Sequence, residues 1–112
     1  MADPRLKTIR IKSGVVKRLA KEKSMYESQV EQEKVRLQKF KDQGKDEYDI
    51  RKQEEVIQES IMMVPETHKR LLAAFQELNS MLETEKELEE AEEYKNALLI
   101  VGDVKLLIGE SN

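Results

Sequence analysis

The chain has 112 residues, 38% of them charged and only 4% aromatic, with no Trp and no Cys. A single small domain is expected, and the balance excludes a disulfide framework, Cys-ligated zinc and the broad apolar interior of a sandwich or barrel. The net charge of −3 conceals an asymmetry: residues 1–45 carry 13 Lys/Arg against 6 Asp/Glu, net +7, and residues 46–112 carry 7 against 17, net −10.

The first predicted element opens at Asp3, a residue type that caps helices, followed by Pro4 in a first turn where its missing N–H costs nothing. From there Ile9, Lys12, Val16, Leu19, Lys23, Tyr26, Val30, Glu33, Leu37 and Phe40 recur at alternating steps of three and four. That is a heptad seam, and it predicts a helix over about 4–42. Gly14 weakens it locally. In the segment KDQGKDEYD, Gly44 suits the left-handed residue that ends a helix, and Asp46 or Asp49 can cap the next one.

The second predicted helix runs over about 49–83. Its seam, Ile50, Glu54, Ile57, Ile61, Val64, His68, Leu71, Phe75, Leu78 and Leu82, keeps its phase across Pro65. Phase continuity favours one helix kinked at the proline, at the cost of one backbone hydrogen bond. The rival reading is a short helix before Pro65 and a new one from Glu66. Next, Thr84-Glu85-Lys86-Glu87 matches a capping box, and the seam shifts to Leu88, Ala91, Tyr94, Leu98 and Val101. A third helix over about 85–108 is expected, with Glu85, Glu87, Glu89 and Glu90 beside its positive end. Either Gly102 or Gly109 can stop it. The fold class expected is all-α: an elongated, antiparallel, up-down-up three-helix bundle of coiled-coil type, in one domain over 1–112.

The residues offer little for catalysis. His68, the only histidine, lies on the expected seam near Glu66 and reads as a packing residue. Glu-x-x-His pairs of the kind that hold metals in bundles are absent. No cofactor, metal or enzymatic activity is expected. Arg10, Lys12, Lys17, Arg18, Lys21 and Lys23 form a basic cluster that could meet phosphates. The pI near 5.4 and the lack of interleaved aromatics argue instead for a solvated face opposite the acidic third helix. On those grounds no nucleic acid is expected as partner, and because the apolar seam is narrow and needed internally, no membrane surface is expected either. No apolar run reaches the length of a bilayer span and MADPRLKTIR has no secretory core, so a soluble cytoplasmic protein is expected. Met62 and Met63, beside Pro65, either fill the bend or present an adaptable surface.

Three blocks, IRIKSGVVKRLAKEKSMYE (with MADPR before it), YDIRKQEEVIQESIMMVPE and LEEAEEYKNA, resemble the tubulin-binding cofactor A family, the tubulin-specific chaperones A. The resemblance covers nearly the whole chain and is strongest in the Gln58-Glu59-Ser60 run leading to Met62-Met63-Val64-Pro65. The tail VGDVKLLIGESN departs from it by being longer and more apolar. The resemblance implies a non-enzymatic three-helix protein, monomeric or weakly dimeric and associated with the cytoskeleton. It would capture β-tubulin released by the cytosolic chaperonin and pass it on, with other tubulin cofactors as further partners. Residues expected to bind the partner are Lys17, Arg18 and Lys21, Met62 and Met63, and Glu89, Glu90, Glu93 and Tyr94. The reading from another class is a structural coiled coil that self-associates or scaffolds a helical assembly.

Overall fold

The computed structural model describes residues 3–109; residues 1, 2 and 110–112, which the expected domain and the tail include, lie outside the described residues. The fold is an all-α three-helix bundle: α1 Pro4–Asp42, α2 Glu47–Thr84 and α3 Glu92–Leu107, with a 3₁₀ turn at Lys86–Leu88. There is no strand among the described residues. The chain divides into two compact units, one of Met1–Lys21 with His68–Asn112 and the other of Glu22–Thr67.

The first unit holds the core. Asp3 caps α1: the backbone N–H of Arg5 donates to its Oδ1 at 2.9 Å, and that of Leu6 donates to its carbonyl at 2.9 Å. Ile9, Val16, Leu19 and Ala20 of α1 pack with Leu71, Phe75, Leu78 and Leu82 of α2 and with Tyr94, Ala97, Val101 and Val104 of α3. Ile9, Val16, Leu71 and Leu78 are fully buried, each contributing roughly 1.5–3 kcal/mol of transfer free energy. Ser13 is buried among them with its hydroxyl donating to the Ile9 carbonyl at 2.7 Å, so no polar atom is stranded there.

The start of α3 differs from expectation. Thr84 does not cap a new helix. Its hydroxyl donates back to the Ser80 carbonyl at 2.9 Å, which makes it the last residue of α2. The chain then forms a 3₁₀ turn, with Leu88 N–H to Glu85 O and Glu89 N–H to Lys86 O, and α3 begins at Glu92 after an extended Ala91. The acids in its first turn are Glu92 and Glu93, not the four glutamates before them. The physical reason is packing: Leu88 and Ala91 lie half-buried against the core, which a helix begun at Glu85 would place differently. Within α3 the buried row is Tyr94, Ala97, Val101 and Val104, so the seam passes through Ala97 and leaves the expected Leu98 exposed. Gly102 lies inside the helix, and Gly109, at φ +72°, follows its end.

The second unit is a helical hairpin. Gly44, at φ +68°, adopts the left-handed conformation that glycine reaches without a Cβ penalty. Its N–H donates to Lys41 O and that of Lys45 donates to Phe40 O, closing α1 as a Schellman motif. Asp46 then caps α2, accepting the Asp49 N–H at 2.9 Å. Val30 and Ile57 are buried, but so are the polar Gln53, Ser60 and Thr67; Glu54 and Ile61 are exposed instead of on the expected seam, whereas His68 is half-buried. Gln53 is satisfied by donating its side-chain amide to both the carbonyl and the carboxylate of Glu33, at 2.9 and 2.6 Å. The α2 helix continues through Pro65 without interruption, so the two-helix reading is not borne out. Just beyond the proline, the Thr67 hydroxyl donates to Met63 O at 2.8 Å.

Candidate functional site

The expected partner-binding residues separate into three environments. In the first unit Lys17, Arg18 and Lys21 are exposed along α1. Glu89 and Glu90 are exposed ahead of α3, where Glu90 lies 3.9 Å from Lys95, and Glu93 is half-buried. Tyr94 is corrected: it is only 5% exposed, and its hydroxyl donates to the Leu82 carbonyl at 2.6 Å, so it ties α3 to the end of α2 and is not available to a partner. In the second unit Met62 is 69% exposed and Met63 half-buried. Of the two roles open to this pair, Met62 has that of a surface residue.

One groove takes in two of these positions, and a second, beside Pro65, takes in none. In the first unit a groove of about 400 Å³ runs between Arg10, Ser13, Gly14 and Lys17 of α1 and Glu93, Asn96, Leu99 and Ile100 of α3. It brings Lys17 and Glu93 to one place. It also includes Gly14, expected from the sequence only to weaken α1 locally, and Leu99 and Ile100, apolar residues that lie off the expected seam and were not expected at a partner site. The missed signal is the row Lys7, Arg10, Gly14, Lys17 and Lys21, at alternating steps of three and four, beside the apolar seam rather than on it. In the second unit a groove of about 380 Å³ is lined by Glu27, Val30, Glu31, Ile61, Val64 and Pro65.

Electrostatically, part of the charge asymmetry closes within the first unit. Arg5 is hydrogen-bonded to Glu85 and Glu87 as well as to Asp3, and Lys12 is paired with Glu77. The Arg5 side chain, followed by its backbone N–H, holds the Asp3 carboxyl down at about 2, and these same carboxylates push the Arg5 guanidinium up. His68 is half-buried in α2. Among the described residues no group of three or more His, Cys, Asp or Glu side chains is placed to hold a metal ion, and no helix is long and apolar enough to cross a membrane.

Comparison with known proteins places this arrangement. Residues 4–101 match the family model described as tubulin binding cofactor A. Tubulin-specific chaperone A of Gallus gallus is 56% identical over 106 residues, covering 95% of this chain and 98% of the relative. The Homo sapiens protein of the same description is 53% identical with the same coverage. The solved structure of human tubulin chaperone cofactor a superposes with a TM-score of 0.77 at 49% identity, covering 91% of this chain and 99% of that one. These relatives are described as chaperones and not as enzymes. The match begins at the proline that opens α1 and ends at Val101 inside α3, so it takes in both grooves, and the chain belongs to the tubulin binding cofactor A family.

Proposed function

We propose that this chain is a tubulin-folding cofactor that acts in the cytoplasm. It binds β-tubulin monomers released from the cytosolic chaperonin, keeps them from aggregating, and passes them toward α/β-tubulin heterodimer assembly. The observation that carries the reading is family membership over residues 4–101, together with relatives of near-complete mutual coverage described as tubulin-specific chaperones. The chemistry of the surface supports it. The buried apolar row of each helix in the first unit is consumed in its core, and what faces outward is charged helix edges and scattered apolar side chains such as Leu99, with grooves between them. Such edges hold a large partner by many weak contacts and can release it again.

In this reading Lys17, Arg18 and Lys21 supply cations, Glu89, Glu90 and Glu93 supply carboxylates, and Met62 with Met63 supplies an adaptable apolar contact. Tubulin is held by a single copy of the chain, and other tubulin cofactors receive it. The test is a refolding assay in which chaperonin-released β-tubulin is allowed to partition with and without the chain. The expected result is soluble β-tubulin that elutes with the chain. Equal aggregation in both arms would overturn the proposal.

A further inference from the structure

The positive charge of α1 is distributed unevenly around the helix. Arg5, Lys12 and Lys23 are paired, with Glu85 and Glu87, with Glu77 and with Glu27 respectively. Lys7, Arg10, Lys17 and Lys21 lie on a different edge and are all exposed. Among the described residues none of these four is in an ion pair. Like charges three and four residues apart repel along a helix, a repulsion that carboxylates from outside relieve. The row extends over about 21 Å at the α-helical rise, the length of a partner helix of roughly four turns.

The opposite side of the same groove is apolar. Leu99 is 68% exposed and Ile100 half-buried, with Asn96 between them and Glu93 at the end shared with Arg10 and Lys7 in an adjoining groove. At the α1 side, Gly14 removes the one side chain that would interrupt the row. A Cβ built there meets no atom within 4 Å, so the space is open. A cationic edge, an apolar edge and a gap between them complement an amphipathic helix.

We propose that this groove docks an amphipathic helix of a protein partner. Carboxylates along one edge of that helix face Lys7, Arg10, Lys17 and Lys21, and aliphatic side chains along the other lie on Leu99 and Ile100 beside Gly14. Glu93 fixes the orientation, because it repels a partner whose acidic edge is turned toward α3. The aliphatic side and Glu93 also disfavour a phosphate backbone, which would satisfy the cations alone. The proposal rests on the tubulin reading only in assigning β-tubulin as the protein that carries such a helix.

The test uses the full chain, Gly14→Leu, and the double variant Arg10→Glu with Lys17→Glu. Leucine is a better helix former than glycine and its Cβ meets open space, so Gly14→Leu is expected to keep the fold while reaching into the groove, and thermal melting checks this. Should it melt early, the charge variant decides alone. The probes are a synthetic helix with glutamates along one edge and leucines along the other, the same helix with lysines for glutamates, a single-stranded oligonucleotide, and isolated β-tubulin. The glutamate helix is expected to bind the full chain, and to bind each variant about tenfold or more weakly, as removal of a central contact does. Unchanged affinity in the folded variants, or equal binding of the lysine helix or the oligonucleotide, would overturn the proposal. A chain that binds the glutamate helix in this groove but not β-tubulin keeps the groove and defeats the tubulin reading. β-Tubulin binding that survives both variants keeps the tubulin reading and removes this groove from it.

Discussion

Single residues in this chain differ in what their local conformation allows. Gly102 sits within α3 with open space where a Cβ would be, so Gly102→Ala should raise stability by about 0.5–1 kcal/mol through helix propensity alone. Gly44 has equal space but a φ of +68°, and Gly44→Ala should lower stability by about 1 kcal/mol, because an L side chain resists the left-handed region. Urea unfolding of the two variants side by side measures the opposite signs. Asp3 adds a pH dependence. Its folded-state pKa of about 2 lies below the ordinary carboxylate value of 3.8. The cap therefore contributes fully above about pH 4 and is lost as pH falls through about 2. The protection of the first-turn amides of α1, taken relative to the exchange rate of a free peptide at each pH, should fall across that window, and Asp3→Asn should flatten the response.

At the scale of elements, α2 is a continuous helix that carries an exposed proline. With no N–H at position 65, the Ile61 carbonyl lacks its usual helical donor, and the chain tolerates this because both halves of α2 are held by packing. Pro65→Ala should therefore raise the unfolding free energy by about 1–3 kcal/mol without altering helix content, measured by denaturant titration and circular dichroism. The α1 seam was legible in the sequence because its apolar and long polar side chains keep strict phase, and every position read there is buried or half-buried. The seam of α2 before Pro65 was not. There the hairpin buries Gln53, which is hydrogen-bonded, and the small Ser60, and turns Ile61 outward, so the rule that apolar residues face inward selects the wrong neighbour by one position; just beyond the proline, Thr67 is buried in the same way. The capping box failed for one non-local and one local reason. Arg5, eighty residues away in sequence, engages Glu85 and Glu87, and Thr84 bonds back to Ser80. The candidate site was half legible: Lys17 and its neighbours stood out as charge, whereas the apolar side at Leu99 depends on α3 burying Ala97, a choice of packing that periodicity misplaces onto Leu98.

At the scale of the whole molecule, burial is concentrated. The first unit contains the hydrophobic cluster drawn from all three helices, whereas in the second Val30 and Ile57 are the buried apolar side chains among the described residues. Native-state hydrogen exchange should accordingly show the amides around Val16, Leu78 and Val101 opening only with global unfolding. Those around Val35 and Gln53 should open at lower free energy, and uniform protection along α1 would contradict this. The charge halves, +7 and −10, are joined by ion pairs worth a few tenths of a kcal/mol each where exposed, which leaves much of the charge facing outward. The central claim is that these outward faces belong to β-tubulin. Sedimentation velocity of the full chain mixed with isolated β-tubulin, and separately with isolated α-tubulin, tests it most directly. The account predicts a single 1:1 complex with β-tubulin and none with α-tubulin; free chain in both mixtures, or equal binding of both, would contradict it.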